Sequence, residues 1–128
     1  MTSSHRIVLL AHGSSDKRWC ETFEQLAAPT LQAVGGSCIA YMELASPSLQ
    51  ETIAAGADDG VKEYTVVPLF LAAGRHLRKD VPAIIADLEK DHDVKIHLAP
   101  PIGENPLLGQ AIKEVVTLEL NQANHPAS

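Results

Sequence analysis

Four short runs rich in apolar residues punctuate this chain, at residues 6–12, 38–42, 64–71 and 94–98, the first three largely without alternation and the last broken by Lys95 and His97. A strand with one wet face alternates apolar and polar residues. A run without alternation must have both faces covered, which is the situation of a parallel sheet lying between helices. Between the runs lie helical patterns with recognisable starts. Asp16 can cap a helix carrying Trp19, Phe23, Leu26 and Ala27 on one stripe, which Pro29 kinks or ends before Leu31 and Val34. Ser46-Pro47 and Asn105-Pro106 each pair a capping side chain with proline at the first helical position. The second of these opens a helix presenting Leu108, Ile112, Val115 and Leu118. Asp80 can cap a helix with Val81, Ile84, Ile85 and Leu88 on its buried stripe. Gly35-Gly36 and the stretch from Gly56 to Gly60 supply breaks, and Pro68 either bends the third strand or ends its regular pairing. The order β-α-β-α-β-α-β-α predicts an α/β fold: a four-stranded parallel sheet with helices on both faces and right-handed crossovers.

The chain has 128 residues, 45% hydrophobic and 20% charged, which predicts one domain over 1–128 with a sizeable core and a polar, frayed end from about residue 121 to 128. A formal net charge of −6 argues against a nucleic-acid binder, whose affinity comes from neutralising phosphates. Cys20 and Cys38 lack metal-finger spacing and are too few for a disulfide framework, so free thiols in a reducing cytoplasm are expected. The apolar stretch from Ile7 to Ala11 is too short for a signal-peptide core, and that from Tyr64 to Gly74 falls short of the ~20 residues of a membrane span. No membrane association is expected.

In open α/β sheets, ligands bind beyond the carboxyl ends of the strands where the strand order reverses. With the flavodoxin-like order 2-1-3-4, the tips of strands 2, 1 and 3 converge. The loop after strand 1 then brings His12-Gly13-Ser14-Ser15-Asp16-Lys17-Arg18-Trp19, strand 2 ends at Glu43, and the loop after strand 3 brings Ala73-Gly74-Arg75-His76-Leu77-Arg78-Lys79-Asp80. Two imidazoles and a carboxylate suit a borderline divalent ion such as Co²⁺, Fe²⁺, Ni²⁺ or Zn²⁺, and three ligands leave coordination positions open for chemistry. Lys17, Arg18, Arg75, Arg78 and Lys79 are five of the ten basic residues, all in the two histidine loops, which implies an anionic ligand there. Plainer roles compete at each position. Glu43 can cap the following turn, Asp16 and Asp80 read as helix caps, and Trp19 as a core or dimer contact. Ser14 and Ser15 shape the loop or touch a ligand, without a nucleotide-binding glycine pattern around them. His5, His92, His97 and His125 lie off the predicted edge and read as structural, and the cysteines as small buried residues.

The segments His12-Gly13-Ser14-Ser15-Asp16 with Arg18-Trp19, Glu43-Leu44-Ala45-Ser46-Pro47, and Pro68-Leu69-Phe70-Leu71-Ala72-Ala73-Gly74-Arg75-His76-Leu77-Arg78-Lys79-Asp80-Val81-Pro82 together resemble the short CbiX-type sirohydrochlorin chelatases. The resemblance implies insertion of Co²⁺, Fe²⁺ or Ni²⁺ into sirohydrochlorin, a tetrapyrrole with eight carboxylates. The metal is then a substrate, no permanent cofactor is involved, and two short chains pair as a homodimer. By position His12 and His76 match the family's metal-binding histidines and Glu43 its acidic residue, so these three carry the expected catalytic and metal roles. Ser14, Arg18, Arg75 and Arg78 are the expected contacts to the tetrapyrrole. Lys17 stands where many members have proline, and Arg75 where glycine is common. The competing readings are a noncatalytic metal or tetrapyrrole carrier, and an FMN or signalling module. A chain with 4% aromatic residues supplies flavin stacking poorly.

Overall fold

A computed structural model describes residues 5–124. The elements run β1 (His5–Ala11), α1 (Lys17–Ala33), β2 (Ser37–Tyr41), α2 (Leu49–Asp58), β3 (Glu63–Pro68), a π-helical turn (His76–Asp80), α3 (Val81–His92), β4 (Lys95–Leu98), a 3₁₀ turn (Ile102–Glu104) and α4 (Pro106–Asn124). All strand pairs are parallel, in the order β2-β1-β3-β4. This is the expected sheet.

Register separates the two faces. Val8 pairs with Cys38 and Val66, and Val66 with Leu98, so these residues share one face with Leu10, Ala40, Tyr64 and Ile96. That face meets Leu49 and Ile53 of α2 and Val81, Ile85 and Leu88 of α3 in one continuous core. The opposite face carries Leu9, Ala11 and Tyr41, all buried, and it is the side that a right-handed β1-α1-β2 crossover gives to α1, where Ala27 is the buried residue. Gly56 lets α2 lie directly against Tyr64, because a Cβ there would overlap the phenol oxygen.

Several local expectations need correction. Ser46-Pro47 does not open α2. Its peptide bond is cis, and Ser48 caps the helix instead, in a reciprocal capping box with Glu51 whose two hydrogen bonds are 3.0 and 2.8 Å. Asp80 does not cap α3, because its backbone is already helical at the end of the π-turn and its side chain makes no cap bond. Pro29 does not end α1, which runs on to Ala33. Gly56 lies within α2, and the break falls at Asp59 and at Gly60, where φ is +86°. Residues 121–124 continue α4, while 125–128, with His125, lie outside the described residues, as do 1–4. The Trp19 core reading fails, as that side chain is 62% exposed, and Leu26 on the same stripe is exposed too. Ile112, Val115 and Leu118 on α4 are likewise exposed.

Asp16 accepts from Arg18 N at 2.9 Å and caps α1, Asn105 Oδ1 accepts from Leu107 N at 2.9 Å at the start of α4, and Pro68 closes β3. Both cysteines are free and half-buried. Ile53 is fully buried between α2 and the sheet. Ile53→Ala should therefore cost about 2–5 kcal/mol in urea unfolding, from lost burial plus the cavity left behind. A cost near zero would contradict this core.

Candidate functional site

The carboxyl tips of β1 and β2 stay joined beyond the strands. Met42 N donates to Ala11 O at 2.9 Å and Glu43 N to His12 O at 3.1 Å, so the backbones of His12 and Glu43 are hydrogen-bonded neighbours. Gly13 makes this possible. Its φ of +92° is a left-handed conformation, and a Cβ would overlap the carbonyl oxygen of Glu43. β3 joins through Leu69 N, which donates to Leu10 O at 2.8 Å.

The next residue, Phe70, holds the histidine. Its ring stacks on the His12 imidazole with centroids 4.4 Å apart and planes 25° apart. Phe70 belongs to the core of the α2 and α3 face, so the imidazole rests on a fixed support. Phe70 O in turn accepts from Gly103 N at 3.0 Å, and a side chain on Gly103 would run into the backbone of Leu71. The loop after β3 is thereby pinned against the 3₁₀ turn that follows β4.

The loop after β1 is organised by short polar contacts. Ser14 Oγ accepts from Asp16 N at 3.0 Å, and the Cys20 thiol donates to Ser14 O at 3.4 Å. The Arg18 guanidinium bonds the Asp16 carboxylate at 3.1 Å, and this bond, with the one from Arg18 N, holds the Asp16 carboxyl below its ordinary value. Arg18 remains 88% exposed. Below the loop, Tyr41 closes β2, and burial, with Cys20 and Glu24 beside it, pushes its phenol up to about 12, so it stays neutral near pH 7.

The π-helical turn begins at His76, with Arg78 N bonded to Gly74 O at 3.1 Å, and Arg75, Arg78 and Lys79 are exposed. Such turns interrupt regular helix and often occur at functional sites. The side chain of His76 lies outside the described residues. Among the described residues, no three histidine, cysteine, aspartate or glutamate side chains are grouped to hold a metal ion. The structure thus joins His12 to the backbone of Glu43 and to the ring of Phe70. Glu43 is exposed, as are Leu44, with φ of +63°, and Leu71 on the neighbouring tips. These give the basic edge an apolar component. Phe70 and Leu44 escaped the sequence reading as site residues: Phe70 looked like one more strand residue, and nothing local marks a leucine for left-handed backbone.

A protein-family model described as CbiX matches residues 6–118. The sirohydrochlorin cobaltochelatase of Sulfurisphaera tokodaii is 34% identical over 110 residues, covering 86% of this chain and 89% of that one. A solved structure from Marinobacter aquaeolei VT8, provisionally described as a cobalamin (vitamin B12) biosynthesis CbiX protein, is 60% identical with a TM-score of 0.91, covering 94% of this chain and 98% of that chain. The sirohydrochlorin chelatase SirB from Bacillus subtilis subspecies spizizenii, solved in complex with cobalt, shares the fold with a TM-score of 0.78 at 23% identity. This chain is covered over 88% of its length in that comparison and spans 50% of SirB.

The stacking makes a spectroscopic prediction. A ring held over a phenyl face is shielded, so Phe70→Leu should move the His12 ring-proton resonances downfield, toward those of an unstacked imidazole, in ¹H–¹³C spectra of the folded protein. Unmoved resonances would show that Phe70 does not support the imidazole.

Proposed function

This chain belongs to the CbiX family, and we propose on that premise that it is a sirohydrochlorin chelatase, inserting a divalent metal ion, Co²⁺ or Fe²⁺ with Ni²⁺ as a third candidate, into the tetrapyrrole. One observation carries the reading most directly. The family match spans residues 6–118, which includes both histidine loops, and His12 stands at the convergence of three strand tips, backbone-bonded to Glu43 and stacked on Phe70.

Metallation exchanges two inner N–H protons for one metal ion, which must shed water on the way. In this reading His12 and His76 hold the incoming ion on one face of the macrocycle, and Glu43 completes the ligand set or orients an imidazole. A neutral imidazole can ligate the metal or accept a pyrrole proton near pH 7, since its ordinary pKa is about 6.5. Three protein ligands leave positions for the pyrrole nitrogens to enter as the imidazoles leave. The stack on Phe70 limits the reorientation that His12 must undergo as the metal passes across.

Arg75 and Arg78 offer exposed guanidinium groups to the peripheral carboxylates, which match their geometry. Arg18 already shares one carboxylate, Asp16, and its remaining donors face water. Ser14 serves the loop through Asp16 N and keeps its own O–H for a substrate oxygen. Leu44 and Leu71 supply apolar walls against which the macrocycle can be held off planarity, with binding energy used for distortion. The metal is a substrate here, and the reaction asks for no permanent cofactor. No described helix is long and apolar enough to cross a membrane, in keeping with an enzyme that meets its substrate in the cytoplasm. The functional unit in this reading is a homodimer, supported by the exposed apolar residues of α4.

The test is sirohydrochlorin absorbance followed anaerobically with each metal. The wild type should turn over repeatedly, and a folded His12→Ala/His76→Ala variant should lose roughly a hundredfold or more in rate, the scale of a lost positioned acid–base group. An undiminished rate in the variant would refute the assignment. Metal or tetrapyrrole binding without turnover in the wild type would make the protein a carrier.

A further inference from the structure

We propose that Trp19 is a tetrapyrrole-contact residue: the face of its indole packs on the rim of the bound macrocycle, beside the peripheral carboxylate that Arg18 takes. The proposal deepens the chelatase reading above and rests on it.

Trp19 is the chain's only tryptophan, and it is 62% exposed. The other aromatic residues, Phe23, Tyr41, Tyr64 and Phe70, are buried or half-buried. The core thus makes no use of the largest apolar side chain in the sequence. Single exposed apolar residues are ordinary, so exposure alone assigns no role. The surroundings of this one do.

Lys17 and Arg18 hold the first two positions of α1, whose first turn has no acidic residue. That is the positive end of the helix dipole, where cations are disfavoured. Asp16 answers one of them, as Arg18 Nε and Nη2 bond its two oxygens at 3.3 and 3.1 Å. Two exposed cations against one carboxylate leave the turn positive. One turn further on, Glu21 and Glu24 are exposed and repel an anion. This division of charge confines an anionic ligand to the first turn of α1, where Trp19 stands. An indole face beside positive charge suits a ligand that is apolar and conjugated in its ring and anionic at its periphery. A tetrapyrrole polycarboxylate is such a ligand. A protein surface seated on Trp19 would instead have to take the same cations out of water.

The turn is tied to the metal-site loop. Ser14 O accepts from the Cys20 thiol at 3.4 Å and Ser14 Oγ from Asp16 N at 3.0 Å. Trp19 N donates to Asp16 O at 3.1 Å, and Thr22 Oγ1 to Arg18 O at 3.0 Å. Ser14 follows His12 by two residues, so at most about 7 Å of extended chain separates them. The indole is therefore presented from a fixed base at the flank of His12. Against Asp16, Arg18, Trp19 and Thr22 lies a shallow cavity of about 300 Å³, at the lower end of ligand-pocket sizes. It accepts one edge of the macrocycle and leaves the centre to the histidines.

The test is the affinity of the full chain for metal-free sirohydrochlorin, read anaerobically from the absorbance of the tetrapyrrole, at about 0.1 M and 1 M salt. Over that range the screening length falls from about 10 to 3 Å. Trp19→Ala should bind roughly tenfold more weakly at both salt concentrations, the scale of a lost aromatic contact. Trp19→Phe should recover most of the loss. Arg18→Ala should show a loss that shrinks at high salt. Affinity for Co²⁺ alone and the sedimentation of Trp19→Ala should match the wild type. Unchanged tetrapyrrole affinity in Trp19→Ala would overturn the proposal, as would a loss that vanishes at high salt. Equal losses for Co²⁺ and tetrapyrrole would show a disturbed loop, and altered sedimentation a contact between copies; either result refutes the assignment. A wild type that does not bind sirohydrochlorin would remove the chelatase reading itself, whereas turnover in the wild type with full affinity in Trp19→Ala would remove this inference alone.

Discussion

A parallel sheet has no face that can be left to water, and most of this structure follows from meeting or failing that requirement. β1 and β2 are apolar at successive positions, so helices must come down on both sides. On one side α2 and α3 do so completely, and the resulting core contains the largest fully buried side chains, Tyr64, Leu10, Leu49 and Ile53 among them. On the other side α1 covers only the β2 half. Over β3 and β4 the residues of that face, Thr65, Val67 and Leu69, are only partly covered, and the apolar residues of α4 are exposed.

The same sheet decides where chemistry can occur. Parallel strands bring their carboxyl ends to one edge, and here the ladder does not stop with the strands. Bonds from Met42, Glu43 and Leu69 carry it into the loops. Gly13 allows the close approach on one side of His12, and Phe70 supports its ring on the other. A metal-handling imidazole gains from such restraint, because a ligand already oriented loses less freedom when the ion arrives. The cations of the π-helical turn and of the loop after β1 bring positive charge to this edge in a chain whose net charge is −6. That contrast fits an anionic macrocycle.

Much of the fold was legible in the residues. The strand runs, the Asp16 and Asn105 caps, and the stripe of Val81, Ile85 and Leu88 express local rules of burial and capping. What escaped depends on tertiary contact. Ser46-Pro47 has the form of a helix start, yet the helix begins two residues later because Ser48 and Glu51 satisfy each other's backbone. Asp80 looked like a cap, but the π-turn already supplies the preceding helical residues. The stripe of Leu108, Ile112, Val115 and Leu118 on α4 was legible as one side of a helix, and periodicity alone does not say what, if anything, covers it. At the site, the histidine loops and Glu43 could be named from the sequence. The stacking of Phe70 on His12 could not, since it joins residues far apart in the chain through packing.

The central claim is that the His12 and His76 loops form one metal site. Crystals soaked in Co²⁺ and measured on both sides of the cobalt absorption edge test it without relying on turnover. The account predicts an anomalous peak within about 2.0–2.3 Å of an imidazole nitrogen of each histidine, the range of transition-metal ligand bonds. Cobalt bound elsewhere, with neither imidazole in contact, would contradict it.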